Sequence, residues 1–201
     1  MSNASWTDCR FVVVDVEGNG QVPQEIIELA IVPVSDGKIG RPCSWLIRPK
    51  RSVTERAIQI HGISNSDLVG CPSHKEVANE IRIVLGKSVV VGHNVSVDTQ
   101  LMRNQFGEWS PIAILDTLRL AKYVRPGLGS YSLDALISAY NLKIDPSNRH
   151  RASGDAQITA ALFLVLVSEM DKDSQLDLLA LSQIAGSSDD PFIKSQQGSL
   201  F

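Results

Sequence analysis

The chain has 201 residues, of which 43% are hydrophobic and 20% are charged, so it can form the core of one ordinary domain. Its longest apolar run, Ile158–Val167, is far shorter than the roughly 20 residues that cross a bilayer, which excludes a transmembrane helix. The net charge of −3 argues mildly against a nucleic-acid binder. Basic residues do cluster locally, and each cluster fits a nucleic-acid contact or a solvated face equally well.

The cysteines and the N-terminus bear on the cellular compartment. Cys9, Cys43 and Cys71 are odd in number and lack the spacing of a metal site, which favours reduced thiols in a cytosolic protein. The N-terminus has no basic segment followed by an apolar one, so we expect no secretion signal and a cytoplasmic location.

Strands dominate the first part of the predicted fold. Arg10–Val16, Ile26–Val34 and Lys38–Arg48 have strand patterns, and a short turn makes the last two antiparallel. Ser88–Val91, expected to run parallel to the first strand, and Ile112–Leu115 follow. The predicted helices are Thr54–Ile60, Ser73–Leu85, Val95–Phe106, Asp116–Tyr123, Leu133–Tyr140 and Ser153–Met170. This order predicts an α/β fold with a mixed five-stranded sheet, its first three strands antiparallel and helices at its sides.

The sequence changes character after Lys172. Leu176–Ile184 has the pattern of a short amphipathic helix, and the polar segment Gly186–Pro191 then breaks structure. The predicted organisation is a main domain over residues 10–172, a short C-terminal helix over 173–185 and a flexible tail over 186–201.

Two acidic residues close the first apolar strand. Asp15 and Glu17 are two residues apart, so both carboxylates leave the same face at the strand's C-terminal end. Two like charges beside a core must be neutralised by protonation, by hydrogen bonds or by a cation. Oxygen ligands suit Mg²⁺ or Mn²⁺, so the pair is a candidate metal site, and a solvated pair is the alternative.

Two further polar segments stand where α/β sheets place their sites. Gly92–Asp98 directly follows a short strand, and Asp98 falls early in the next helix. His150–Asp155 leads into the longest helix, with Asp155 in its first turn and His150 just before it. We expect these side chains to face one crevice.

These segments, in this order, resemble the motifs of the DEDDh exonucleases, the superfamily that includes the proofreading subunit of bacterial replicative polymerases. The resemblance covers about residues 10 to 171. The matching motifs are Asp15-Val16-Glu17, Gly92-His93-Asn94 to Asp98, and His150-x-Ala152-x-x-Asp155, with Ile60-His61-Gly62-Ile63, Asp116-Thr117-Leu118 and Tyr131–Leu136 as flanking signatures.

The resemblance implies a ribonuclease H-like fold and an enzyme that hydrolyses phosphodiester bonds at 3′ ends, releasing nucleoside 5′-monophosphates. It implies two Mg²⁺ or Mn²⁺ ions, about 4 Å apart, held by Asp15, Glu17, Asp98 and Asp155. His150 is the expected general base, because an imidazole titrates near the working pH.

The resemblance also suggests residues that contact the substrate. Gly18, Ile60 and His61 match the wall around the terminal nucleotide. His93 and Asn94 are expected either near the scissile phosphate or in orienting their own loop.

The sequence departs from the family after Glu17, where Gly18-Asn19-Gly20 replaces the common Thr-Thr-Gly. Because this loop helps to hold the terminal sugar and base, the resemblance leaves the substrate open. A DNA 3′→5′ exonuclease is the leading hypothesis, and an exoribonuclease of RNA ends or short oligoribonucleotides is the alternative. A non-catalytic nucleic-acid-binding module is a third reading, which the intact acidic residues disfavour.

The last five residues resemble a bacterial sliding-clamp-binding pentapeptide. Gln197 stands first, and Leu200 and Phe201 end the motif, although Gly198 departs from its usual Leu. Burial of two apolar side chains in a groove would contribute a few kcal/mol. A sliding clamp is therefore a predicted partner, and a chance Leu-Phe ending is the alternative.

Overall fold

The computed structural model describes residues 5–173, 175–188 and 190–192, which form a mixed sheet with helices on both faces. Strand β1 (Phe11–Gly18) lies at its centre, antiparallel to β2 (Ile26–Ser35) and parallel to β5 (Val89–Gly92). Strand β6 (Ala113–Asp116) pairs in parallel with β5 at one edge. At the other edge, β3 (Lys38–Ile39) and β4 (Cys43–Leu46) pair with β2 in antiparallel fashion.

The third predicted strand, over residues 38–48, is divided in two in the structure. The Gly40 N–H donates to the Pro33 carbonyl at 2.8 Å, and the chain then leaves the ladder before β4 begins. Pro42 has no N–H to donate, which disfavours continuous pairing there. The described sheet consequently has six strands rather than the predicted five, while the predicted strand directions are confirmed.

The described residues form seven α-helices close to their predicted positions. Two predicted N-terminal caps are present: the Glu76 carboxylate accepts the Ser73 N–H at 2.7 Å, and Asp116 accepts the Leu118 N–H at 2.9 Å. The helices are α1 (Glu55–His61), α2 (His74–Leu85), α3 (Ser96–Phe106), α4 (Thr117–Val124), α5 (Leu133–Ala139), α6 (Ala152–Met170) and α7 (Leu178–Ala185).

The side chains of β1 alternate between two hydrophobic cores. Val13 packs into the core that contains Phe163 of α6, whereas Val12 and Val14 pack into the core that contains Met102 of α3. Because side chains of a strand alternate with period two, the odd-numbered acidic residues that follow leave the sheet on the α6 side. The fold thus directs the carboxylates of β1 toward the long helix.

The C-terminal part of the described chain lies against the edge of the sheet. Helix α7 contributes Leu181 to the α6-side core, so it belongs to the same packed unit as the main domain. The Ser187 N–H donates to the Ile114 carbonyl at 2.8 Å, and the buried Asp190 carboxylate accepts the Ile114 N–H at 3.3 Å. The predicted tail boundary at residue 186 is wrong for these residues, because β6 supplies their hydrogen-bond partners.

Gln197, Leu200 and Phe201 of the predicted clamp-binding motif lie outside the described residues. In the described ranges, none of the helices combines the length and the apolarity that crossing a membrane would need.

Candidate active site

Three carboxylates meet where β1 ends beside the first turn of α6. Asp15, Glu17 and Asp155 each offer an oxygen, and these ligand atoms all lie within 4.8 Å of one another. The alternation of β1 places the first two, and the position of Asp155 early in α6 places the third. Sequence reasoning expected this meeting, and the structure brings the three together.

The electrostatics of this cluster are those of crowded negative charge. Burial of the carboxyl, together with the charges of Asp98, Asp155 and other nearby carboxylates, raises the pKa of Asp15 well above its ordinary value. Burial and the neighbouring Asp155 raise the pKa of Glu17 to about 8. A divalent cation would remove this penalty, because it would offset the repulsion that favours protonation. The described residues therefore fit a bound cation.

Asp98 approaches the cluster from the opposite face of the sheet. It lies in the first turn of α3, and its Oδ1 accepts the Val16 N–H at 3.1 Å. Burial raises the pKa of Asp98 to about 7, although hydrogen bonds from backbone N–H groups oppose this shift. Asp98 lies outside the compact group of three carboxylates found among the described residues. The structure thus places it beside β1 without bringing it into the tightest cluster.

The segment before α6 surrounds Asp155 with donors. The guanidinium of Arg149 forms an ion pair with Asp155. It also donates to Asp134 Oδ1, from Nε at 2.9 Å and from Nη2 at 2.6 Å. The backbone N–H of His150 donates to Asp155 Oδ2 at 3.3 Å. His150 itself is exposed and has a φ of +57°, in the left-handed region.

A cavity of about 290 Å³ opens next to Glu17. Gly18, Ile60 and His61 line it, as sequence reasoning predicted for the terminal-nucleotide site. His61 Nδ1 accepts the Ile63 N–H at 3.0 Å, while its buried Nε2 has no hydrogen-bond partner. Burial lowers the pKa of His61. The Nδ1 bond therefore fixes the orientation of the buried ring at the wall of the cavity.

The loop that departs from the family pattern is fixed by Asn19. This buried side chain accepts the N–H groups of Gln21 and Glu25 at 3.2 and 3.0 Å, and it donates to the Glu25 carboxylate at 3.2 Å. A Cβ at position 18 would meet the flexible end of the exposed Gln24 side chain, which would have to move. The unusual sequence thus gives a loop with internal bonds of its own.

His93 and Asn94 belong to the loop between β5 and α3. His93 Nδ1 lies 3.0 Å from the Thr117 hydroxyl, and the Asn94 N–H donates to Asp116 Oδ1 at 2.9 Å. Burial lowers the pKa of His93, and its buried Nε2 has no hydrogen-bond partner. These bonds support the loop-orienting alternative; the suggested contact with the scissile phosphate remains a prediction.

Sequence reasoning missed the internal bonds of the basic clusters. Arg51 forms an ion pair with Glu25 at 3.0 Å, beside a larger cavity of about 530 Å³. Arg149 and Arg151 pair with acidic residues at the base of α6. No local signal links Arg51 with Glu25 or Arg151 with Glu28, because these partners are 26 and 123 positions apart.

Comparisons with known proteins agree with this geometry. The profile of the RNase T family, described as Exonuclease, matches residues 6–163. DNA polymerase III subunit epsilon of Aquifex aeolicus is 36% identical over 169 residues, covering 81% of this chain and 83% of that protein. The structure of Exonuclease X in complex with 5′ overhanging duplex DNA shares 31% identity and a TM-score of 0.70, covering 87% of this chain and 97% of that one.

A second kind of relative is much longer. DNA polymerase III PolC-type of Thermotoga petrophila is 35% identical over 189 residues, which is 90% of this chain. The matched part is only 13% of that relative's length.

Proposed function

Because the chain belongs to the RNase T exonuclease family, we propose that it is a metal-dependent 3′→5′ exonuclease that hydrolyses DNA 3′ ends and releases nucleoside 5′-monophosphates. The observation that carries this proposal is the carboxylate cluster of Asp15, Glu17 and Asp155, with ligand atoms within 4.8 Å of one another. The DNA substrate is supported by relatives named as DNA polymerase III components and by the DNA complex of Exonuclease X.

The proposed metal ligands are the three clustered carboxylates, with Asp98 completing the set from α3. Two Mg²⁺ or Mn²⁺ ions bound there would stabilise the charge that develops on the phosphate and on the attacking and leaving oxygens. The raised pKa values of Asp15 and Glu17 also support this assignment, since ionising these crowded carboxyls without a cation is unfavourable.

His150 is the proposed general base. His150 is exposed and its backbone N–H bonds the Asp155 carboxylate, so the proposed base and a proposed metal ligand belong to one short segment. In this role the neutral imidazole accepts the proton of the attacking water. The cavity lined by Gly18, Ile60 and His61 would hold the terminal nucleotide.

The deciding experiment offers four 5′-labelled substrates with Mg²⁺: single-stranded DNA, duplex DNA, mismatched duplex DNA and RNA. We expect a ladder that shortens from the 3′ end of DNA, and we expect EDTA or Asp15→Asn to abolish it. A ladder on RNA alone would establish the exoribonuclease alternative. Full activity in EDTA, or no cleavage of any substrate, would overturn the proposal.

We also propose a sliding clamp as a partner through Gln197, Leu200 and Phe201. The support is the likeness of the last five residues to the clamp-binding pentapeptide. The test is a titration of bacterial sliding clamp with the full chain and with a form that ends at Gln196. Binding by the full chain alone is expected, and equal binding by both forms, or none, would remove this partner. The replication setting that it implies agrees with the predicted cytoplasmic location.

A further inference from the structure

Helix α6 carries the candidate site at its N-terminus, yet it does not cap itself there. Its N-cap residue is Arg151, whose side chain makes no capping hydrogen bond. The first helical N–H, that of Ala152, instead donates to the carboxylate of Glu28 on β2, at 2.9 Å. A carboxylate at this position satisfies an otherwise unpaired amide and interacts favourably with the helix dipole.

The same carboxylate also binds the N-cap side chain. Arg151 Nη2 donates to Glu28 Oε1 at 2.8 Å, and its Nε donates to Oε2 at 3.1 Å, which is the bidentate geometry of strong Arg–carboxylate pairs. Glu28 is only 4% exposed. Both of its oxygens are therefore engaged by consecutive residues at the start of α6.

Glu28 stands next to the candidate site. In the ladder between β1 and β2 it lies directly opposite Glu17, one of the clustered carboxylates. Arg151 follows His150 in sequence, and Asp155 lies one helical turn beyond Ala152. One buried carboxylate thus links the strand pair that carries Asp15 and Glu17 to the helix that carries Asp155.

We propose that Glu28 is a positioning residue for catalysis: it caps α6 from β2 and, through Arg151, sets Asp155 and His150 against the carboxylates of β1. This inference rests on the proposed function. Its physical basis is that misplacing a reacting group by about 1 Å can cost about 100-fold in rate. The charge of Arg151 opposes that of Glu28 at the neighbouring Glu17 carboxyl.

The test compares the two ends of the same helix. Glu28→Gln and Arg151→Gln weaken the N-terminal anchor, while Asp171→Asn weakens the C-terminal one, where Asp171 accepts the Trp6 indole N–H at 2.6 Å and the Leu176 N–H at 2.8 Å. The readouts are kcat and KM on single-stranded DNA, Mn²⁺ affinity by calorimetry, and the melting temperature without metal.

We expect Glu28→Gln to lower kcat and Mn²⁺ affinity by about 10- to 100-fold, as residues that orient metal ligands do, with KM changed less than about twofold. The double variant Glu28→Gln/Arg151→Gln should lose no more than the worse single variant, because the two residues act as one unit. Asp171→Asn should lower the melting temperature alone.

A purely structural role would give another result. The positioning role would be overturned if Glu28→Gln kept the wild-type kcat and Mn²⁺ affinity. It would also be overturned if Asp171→Asn, at an equal loss of melting temperature, lost as much kcat and Mn²⁺ affinity as Glu28→Gln. Should Glu28→Gln fail to fold, Arg151→Gln decides by the same criteria, since it leaves the Glu28–Ala152 bond in place. If the wild type proved inactive on every substrate, the proposed function would fail, and the Mn²⁺ affinities alone would decide the positioning role.

Discussion

The two ends of helix α6 are held in different ways. At the C-terminal end, Asp171 accepts hydrogen bonds from Trp6 and Leu176. At the N-terminal end, Glu28 and Arg149 bind the helix start through ion pairs, and His150 adopts a left-handed φ of +57°. Strained or charged backbone surroundings of this kind concentrate at functional sites. The contacts at the C-terminal end of α6 thus hold the helix in place, whereas those at its N-terminal end hold it beside the candidate site.

The largest expected difference between the two ends of α6 comes from neutralising one aspartate at each end. Asp155→Asn removes a ligand from the carboxylate cluster, so we expect turnover to fall by about 1000-fold or more, since metal stabilisation of a transition state amounts to several kcal/mol. Asp171→Asn should stay within about twofold of the wild type. Steady-state kinetics on labelled DNA, with circular dichroism as a check of folding, measures both. Equal losses would contradict the division of roles.

His150 tests the chemistry of the N-terminal end more narrowly. His150→Ala should lower turnover by about 100-fold, because a general base contributes about that much or more, while Mn²⁺ affinity stays close to that of the wild type. The wild-type rate should rise with pH on the acidic side, since only the neutral imidazole accepts a proton. Profiles of rate against pH measure this effect. An unchanged profile in His150→Ala would assign the base to another group.

The crowded carboxylates predict how the stability of the metal-free protein depends on pH. A carboxyl group whose pKa is raised on folding stabilises the folded state fully below its ordinary pKa, and loses this contribution as pH rises through the folded value. For Glu17 these values are 4.5 and about 8. The metal-free protein should therefore melt at a lower temperature at pH 8.5 than at pH 5, which calorimetry can measure.

Two variants locate the origin of that pH effect. Glu17→Gln should flatten the dependence, whereas Asp171→Asn should keep it, because Asp171 is at the opposite end of α6. Mg²⁺ should raise the melting temperature more at pH 8.5 than at pH 5, since the carboxylates are then ionised. A slope that persists unchanged in Glu17→Gln would refute the assignment to this cluster.

The smallest expected effect comes from a change at the C-terminal end of α6. Trp6→Phe removes the indole N–H that bonds Asp171 while it keeps most of the apolar ring. The loss of one hydrogen bond to a charged group costs about 1.5–3 kcal/mol, and each kcal/mol shifts the melting temperature by about 2–4 °C at this chain length. Turnover at 25 °C should not change measurably. A clear loss of turnover would show that the two ends are coupled.

Local sequence signals predicted most of the fold. The apolar run of β1, the turn between β2 and β3, and the caps at Ser73 and Asp116 involve residues that are neighbours in the chain, so their pattern is sufficient. The ribonuclease H-like fold and the exonuclease family predicted from the motifs are confirmed by the comparisons. The break between β3 and β4 was missed, although Gly40 and Pro42 within the predicted strand are local signals against continuous pairing.

The supporting contacts of the site could not be predicted in the same way. Glu28 and Arg151 are 123 positions apart, and their pairing depends on how α6 crosses the sheet. Neither residue was predicted from the sequence to belong to the site. Asp98 was predicted to be a metal ligand like the other three carboxylates. The helix that carries it lies on the other face of the sheet, and the sequence did not indicate this. Such relations arise from tertiary packing rather than from spacing along the chain.

The segment after α7 has a consequence for association between molecules. Strand β6 is the last strand on its side of the sheet, and an exposed strand edge is a template for pairing with another chain. Here the N–H of Ile114 is occupied by Asp190 and its carbonyl by the Ser187 N–H. Ser187 and Asp190 thereby occupy backbone groups of this edge that could otherwise pair with another chain. A chain shortened to residue 185 should aggregate in a concentration-dependent way, even though every residue of the carboxylate cluster would still be present.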